Sequence, residues 1–186
     1  EADFAQSRST LAISRARSLE LTVISRNEDN VGVVLFNTVR SPTDDVRVRQ
    51  ALQLAANQEA LIAASLVAGA GEAATQWFAP ESRWWSGLAA GAWPGTDVAR
   101  AKQLLTAYVN DPKRSDKRSP GAKITFELQC TDDIHLSSMT RELKRQWEAI
   151  GLVEVELDTV TRSGLIQRVL CSVTDRPGFS GDFDAT

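Results

Sequence analysis

The 186-residue chain holds a single histidine, His135. That scarcity excludes most acid–base and nucleophilic designs. Ser/His/Asp catalysis needs a base within hydrogen-bond reach of its nucleophile. Only Ser137 and Ser138 lie beside His135, and neighbours at a helix start rarely meet in that geometry. There is no Gly-x-Ser-x-Gly elbow, no Walker loop, no strand followed by GxGxxG and no HExxH. The expectation is a protein that is not an enzyme and carries no cofactor. Cysteine is nearly as scarce: Cys130 and Cys171 are the two present. Structural zinc needs four clustered ligands, so no metal site is expected. A bridge is permitted in an exported protein, but two buried thiols are the simpler expectation. No apolar run approaches the ~20 residues needed to span a bilayer, and no signal-peptide pattern opens the chain. Charge of one sign is lacking too: 21 Lys and Arg against 24 Asp and Glu leave a net −3. Neither nucleic acid nor an anionic membrane is thus an expected partner. Arg15, Arg17, Arg47, Arg49, Arg141 and Arg145 lie scattered among acids and read as a mixed, solvated surface.

What is present suits one globular domain, with 42% hydrophobic and 24% charged residues. The chain is organised around residues 36–71. Phe36-Asn37-Thr38 closes a β-rich run, and Ser41-Pro42 turns it, because proline fixes its own φ and restricts its predecessor. Asp44 and Asp45 offer carboxylates to a helix start. Val46, Val48, Ala51, Leu54, Ala55, Leu61, Ile62 and Leu66 predict one long helix with a gap at Asn57-Gln58, ended by Gly69 and Gly71.

Residues 1–6 are readable as a strand and 9–18 as a loop or broken helix. The alternation of Leu19 to Ser25 predicts a strand, Arg26 to Asn30 a turn, and Gly32 to Val39 a second strand closing a hairpin. Glu72 to Thr96 reads as an ordered loop pinned to the body by its tryptophans, Trp77, Trp84, Trp85 and Trp93. Asp97 to Val109 predicts a capped helix, and Asn110 to Gly121 a mobile charged loop. Lys123 to Cys130, Leu136 to Ile150 and Leu152 to Leu157 predict strand, helix and strand, with Gly151 stopping the helix. That is a βαβ unit, expected to be parallel and right-handed. Ser163 to Ser172 predicts a last helix, Thr174 to Gly181 a loop and Asp182 to Ala185 the start of a strand.

Phe36, Asn37, Thr38, Pro42, Asp45, Arg47, Val48, Arg49, Gln50, Ala51, Leu52 and Ala55 together resemble the signature of the family 5 extracellular solute-binding proteins. These are the peptide- and nickel-binding receptors of ABC importers. The chain departs from the pattern with one proline where many members have two, and with Asn57-Gln58 where Asp-Arg is usual. The likeness continues through Asp97, Ala101, Lys102, Leu104 and Leu105, then Arg145 to Trp147, Ile150, Gly151, Val153 and Val155, and finally Gly181 to Asp184. Glu1-Ala2-Asp3 is similar to a segment that lies deep inside such receptors. The resemblance implies that residues 1–186 are the ligand-closing lobe, excised from a larger two-lobe protein. It implies an α/β lobe of the type II periplasmic-binding fold, with a mixed sheet flanked by helices. It further implies an extracellular or periplasmic place, with membrane attachment only through a lipid anchor outside this chain, and ABC permease subunits as partners.

Ligands of open α/β sheets bind outside the carboxyl ends of strands. Thr131, Asp132, Asp133 and His135 occupy such a place in the predicted βαβ unit, where free helix N–H groups could hold a carboxylate. The alternative is that Asp132 or Asp133 is only an N-cap. Trp84 and Trp85 are candidates for stacking on a solute, and Asn37 for a polar contact, although a turn-fixing role suits a strand-end asparagine equally. Arg47 and Arg49 read as supports of the helix start, and Asp3 and Asp184 as structural. The expected function is capture of oligopeptides or similar solutes by lobe closure. An oligosaccharide, a nickel chelate or a sensory role in a regulator stand as alternatives.

Overall fold

The computed structural model describes residues 4–7, 10–24, 31–65, 71–170, 181 and 183–186. Cys171, Asp3, Gly69, the 26–30 turn and most of the 174–181 loop lie outside these residues.

Helix α1 (Thr10–Ser18) occupies the segment read as a loop or broken helix. It ends at Glu20, whose φ of 56° is left-handed, with Leu19 N–H donating to Arg15 O and Leu21 N–H to Ala16 O. The strand expected over Leu19 to Ser25 therefore does not form among its described residues. Leu21 and Ile24 remain exposed, since alternation needs a partner ladder to become a strand. The expected hairpin is likewise replaced. Leu35 and Asn37 pair with the far end of the chain: Leu35 N–H donates to Thr186 O, Thr186 N–H to Leu35 O, and Asn37 N–H to Asp184 O.

The long helix divides into α2 (Val46–Ala55) and α3 (Gln58–Ala64). Asp45 caps α2, its carboxylate accepting from Arg47 N–H at 2.8 Å. Asn57 caps α3 through Ala60 N–H. The break leaves main-chain groups that need partners outside the helix. Leu52 O accepts the Trp147 indole N–H at 2.8 Å, Leu54 O accepts Asp97 N–H, and Ala56 O accepts the Thr96 hydroxyl. Asn57 N–H donates to the Gln146 side chain. Every one of these partners is distant in sequence, so the break is made by tertiary contact.

In the 71–97 segment a short helix α4 (Gly87–Gly91) forms. Its tryptophans do not pin it: Trp77 and Trp84 are 63% and 61% exposed. Phe78, Arg83 and Trp84 pack on one another instead, with the Arg83 guanidinium 4.7 Å from the Trp84 ring centre. Polar main-chain contacts attach the segment, through Gln58 to Ala74 O and the Thr96 and Asp97 bonds above.

Asp97 caps α5 (Val98–Val109). The following loop, expected to be mobile, is folded around Arg114, whose side chain is 1% exposed. Arg114 Nη1 donates to Val109 O, Ser119 O and Ala122 O, while Nε and Nη2 grip Asp116 at 2.6 Å. Strand β1 (Ile124–Thr131), helix α6 (Ile134–Glu148) and strand β2 (Val153–Val160) follow, with β1 and β2 parallel and Ile124 opposite Val153. Gly151, at φ 85°, ends the α6 turn. Helix α7 (Arg162–Leu170) comes last. Beside this two-stranded parallel sheet, Ala185 makes isolated bridges, parallel with Leu128 of β1 and antiparallel with Phe36.

One sheet face, with Ile124, Phe126, Leu128, Val153 and Val155, packs against α6 and then α2 and α5. Trp147 sits at the centre, 1% exposed, its ring centre 5.6 Å from that of Phe126 and 6.2 Å from that of Phe36. The opposite sheet face is polar, and Arg168 of α7 pairs there with Asp158. Cys130 is a buried free thiol.

Candidate functional site

The carboxyl end of β1 delivers Thr131 and Asp132 to the start of α6. Thr131 is buried and in register with Val160. Asp132 is exposed, with no hydrogen bond or ion pair among the described residues. Asp133 is the N-cap of α6: its Oδ1 accepts His135 N–H and Leu136 N–H, each at 2.9 Å, and its carbonyl accepts Ser137 N–H. The helix N–H groups expected to be free for a ligand carboxylate are therefore occupied by the chain's own carboxylate. An anion approaching this end would meet two aspartates, and the local chemistry favours a hydrogen-bond donor.

His135 is half-buried. Its Nδ1 lies 2.7 Å from Ser65 O at the end of α3. No hydrogen bond joins it to Ser137 or Ser138, whose hydroxyls donate back to Ile134 O within the helix. A nucleophile–base pair is thus not assembled. Among the described residues, no group of three or more metal-ligating side chains converges.

The remaining candidates lie on other segments. Asn37 is 6% exposed. Its Nδ2 donates to Phe183 O and its Oδ1 accepts Val39 N–H, while its carbonyl accepts the Thr43 hydroxyl at 2.7 Å. In this setting the amide holds the Asn37–Thr43 turn to the end of the chain. Trp84 and Trp85 belong to the 71–97 segment and present exposed ring surface. No hydrogen bond or ring contact among the described residues joins them to Thr131–His135. Asp184 accepts Glu127 N–H and faces Arg40 at 3.7 Å, as a structural group would. Arg47 grips Asp45 and reaches Asp111 at 3.0 Å, and Arg49 donates to Thr43 O and Asp44 O. Hydrogen bonding to Arg47 holds the Asp45 carboxyl below its usual range. Sequence reasoning missed Ser65, which acts through a main-chain carbonyl that no spacing reveals.

An apolar depression of about 280 Å³ lies between α7 and the chain end, lined by Val33, Leu35, Leu165, Ile166, Val169 and Thr186. No described helix is long and apolar enough to cross a membrane.

Comparison with solved structures gives the same architecture. The oligopeptide-binding protein AppA from Bacillus subtilis, in complex with a nonapeptide, is 22% identical with a TM-score of 0.62, over 82% of this chain and 29% of AppA. An oligopeptide-binding ABC transporter protein from Thermotoga maritima has a TM-score of 0.68 at 13% identity, over 98% of this chain and 38% of its own. NikA from Brucella suis, in complex with Fe(III)-EDTA, has 22% identity and a TM-score of 0.58, over 74% and 27%. The chain thus spans less than two fifths of each of these proteins. No curated protein matches it. Helices flanking a small parallel sheet, in the order described, are the periplasmic-binding-protein fold. Residues 1–186 match, end to end, the family described as bacterial extracellular solute-binding proteins, family 5 Middle, and the chain belongs to that family.

Proposed function

We propose that residues 1–186 form the ligand-closing lobe of a two-lobe receptor that captures oligopeptides outside the membrane and passes them to an ABC permease. Capture is by hinge closure around the solute, with no covalent step. The observation that carries the reading is the end of β1. Thr131, Asp132, Asp133 and His135 lie at the end of β1 and the start of α6, and open α/β sheets commonly take ligands outside such strand ends, which supports the reading. Their exposed groups are acceptors, suited to the ammonium and main-chain N–H donors of a peptide. Asn37 acts here as a support of the turn, and Trp84 and Trp85 as secondary contacts, reached only if the solute extends over the 71–97 segment. The receptor sits at the extracellular face of the membrane or in the periplasm, held by a lipid anchor outside this chain.

A second reading, a metal chelate as solute, is favoured by the likeness to NikA. Thermal-shift screening of the complete receptor against di- to pentapeptides, nickel chelates and oligosaccharides separates the two. Stabilisation by peptides alone is expected. Stabilisation by chelates or sugars alone would contradict the peptide reading.

A further inference from the structure

Helix α3 buries none of its side chains completely. It is held to α6 at both ends, by the Asn57–Gln146 pair at its start and by the Ser65–His135 contact at its finish. The second of these contacts has chemical content. A carbonyl oxygen only accepts, so the 2.7 Å contact requires Nδ1 of His135 to carry a proton. In the neutral ring the other nitrogen, Nε2, then presents a lone pair. Nε2 has no hydrogen-bond partner among the described residues.

Both sides of this contact are fixed. Ser65 N–H donates to Leu61 O and Ile62 O, and its hydroxyl donates to Ile62 O at 2.6 Å, which locks the turn that carries the carbonyl. Asp133 holds the main chain of His135 from the opposite side. Free rotation of the imidazole would sacrifice the Ser65 bond in a half-buried setting, at a cost typical of a lost hydrogen bond.

We propose that the Ser65 main-chain carbonyl is the positioning group of the candidate site: it fixes His135 as the Nδ1–H tautomer and so makes Nε2 an acceptor for a donor group of the solute. The inference rests on the reading that the Thr131–His135 segment faces the solute. With the Asp132 carboxylate exposed beside it, the charged and ring groups offered here are acceptors, and the chemical class that they take is an ammonium or an amide N–H.

One histidine makes the test clean. Long-range nitrogen–proton correlation on the chain labelled with 15N-histidine reads the tautomer of the neutral ring, and the Nδ1–H form is expected. His135→Asn places an amide N–H near the Nδ1 position and lacks Nε2, whereas His135→Gln does the reverse. Amide exchange at Leu61 to Ser65 should stay within about twofold of the parent in His135→Asn and rise several-fold, up to about tenfold, in His135→Gln. An Nε2–H tautomer, or identical exchange in both variants, would overturn the proposal. Neither readout needs a solute, so each stands apart from the binding reading. In the complete receptor, peptide affinity lost in His135→Asn supports the acceptor role, and affinity unchanged there overturns it. Absence of peptide binding by the parent receptor contradicts the underlying reading instead, with the tautomer read independently.

Discussion

Arg114 shows what a single buried side chain does here. Its guanidinium satisfies three carbonyls, pairs with Asp116 and lies 5.1 Å from the Tyr108 ring centre. Removing it leaves Ala122 O without its donor, while Val109 O and Ser119 O keep the N–H groups of Gly121 and Ala122, and leaves Asp116 without its cation. Arg114→Ala should cost about 3 kcal/mol in denaturant unfolding, and Arg114→Lys should recover little, because an ammonium cannot reproduce the planar fork. A loss below about 1 kcal/mol would show that the loop holds without it. The composition of residues 110–121 conceals this, since one arginine among several charges looks solvated until the carbonyls around it are located. Trp147 differs: its place on the apolar face of α6 was legible, while its bond to Leu52 O was not. Trp147→Phe should therefore lose about 1–2 kcal/mol through the orphaned carbonyl and the lost ring volume, measured the same way.

Among the elements, caps were readable and breaks were not. Asp45 and Asp97 stand where a carboxylate before an apolar run predicts a helix start, and both accept the expected N–H groups. Between Ala55 and Gln58 the periodicity runs on with only a gap, yet the helix stops, because Trp147, Gln146, Thr96 and Asp97 supply partners that no local window contains. Leu19 to Ser25 fails for the converse reason: its alternation has no neighbouring ladder among the described residues. Asn57→Ala should cost about 1 kcal/mol, the usual worth of an N-cap, with faster exchange confined to α3. An effect spread equally over α2 would mean that the two helices unfold as one unit.

At the scale of the whole molecule, acid stability follows from carboxylates paired in the fold. Arg145 and then Gln146 hold the Glu142 carboxyl down to about 2, and Lys144 holds Glu148 below its usual range. Asp45 is lowered in the same sense by Arg47. A depressed carboxyl stabilises the fold above its unfolded pKa, and that contribution is lost as pH falls through the folded value. Stability should accordingly decline from about pH 5 towards pH 2, modestly, since Arg145 is open to solvent and Lys144 is partly so, and both pairs are screened. Glu142→Gln should flatten the lower part of that profile, and an unchanged profile would remove Glu142 from the account.

The α/β architecture and its βαβ unit were legible because they rest on local periodicity. At the end of β1 the sequence left two readings of the helix start open, free N–H groups or an aspartate N-cap, and the structure has the cap, on Asp133. The central claim is that this acceptor-rich end meets a peptide. Isothermal titration of the complete receptor with a mixed pool of short peptides, comparing the parent with Asp132→Asn, tests it most directly. The account predicts saturable binding by the parent and affinity weakened about tenfold by the variant, the range of one charge-assisted hydrogen bond. Saturable binding that Asp132→Asn leaves unchanged would contradict it.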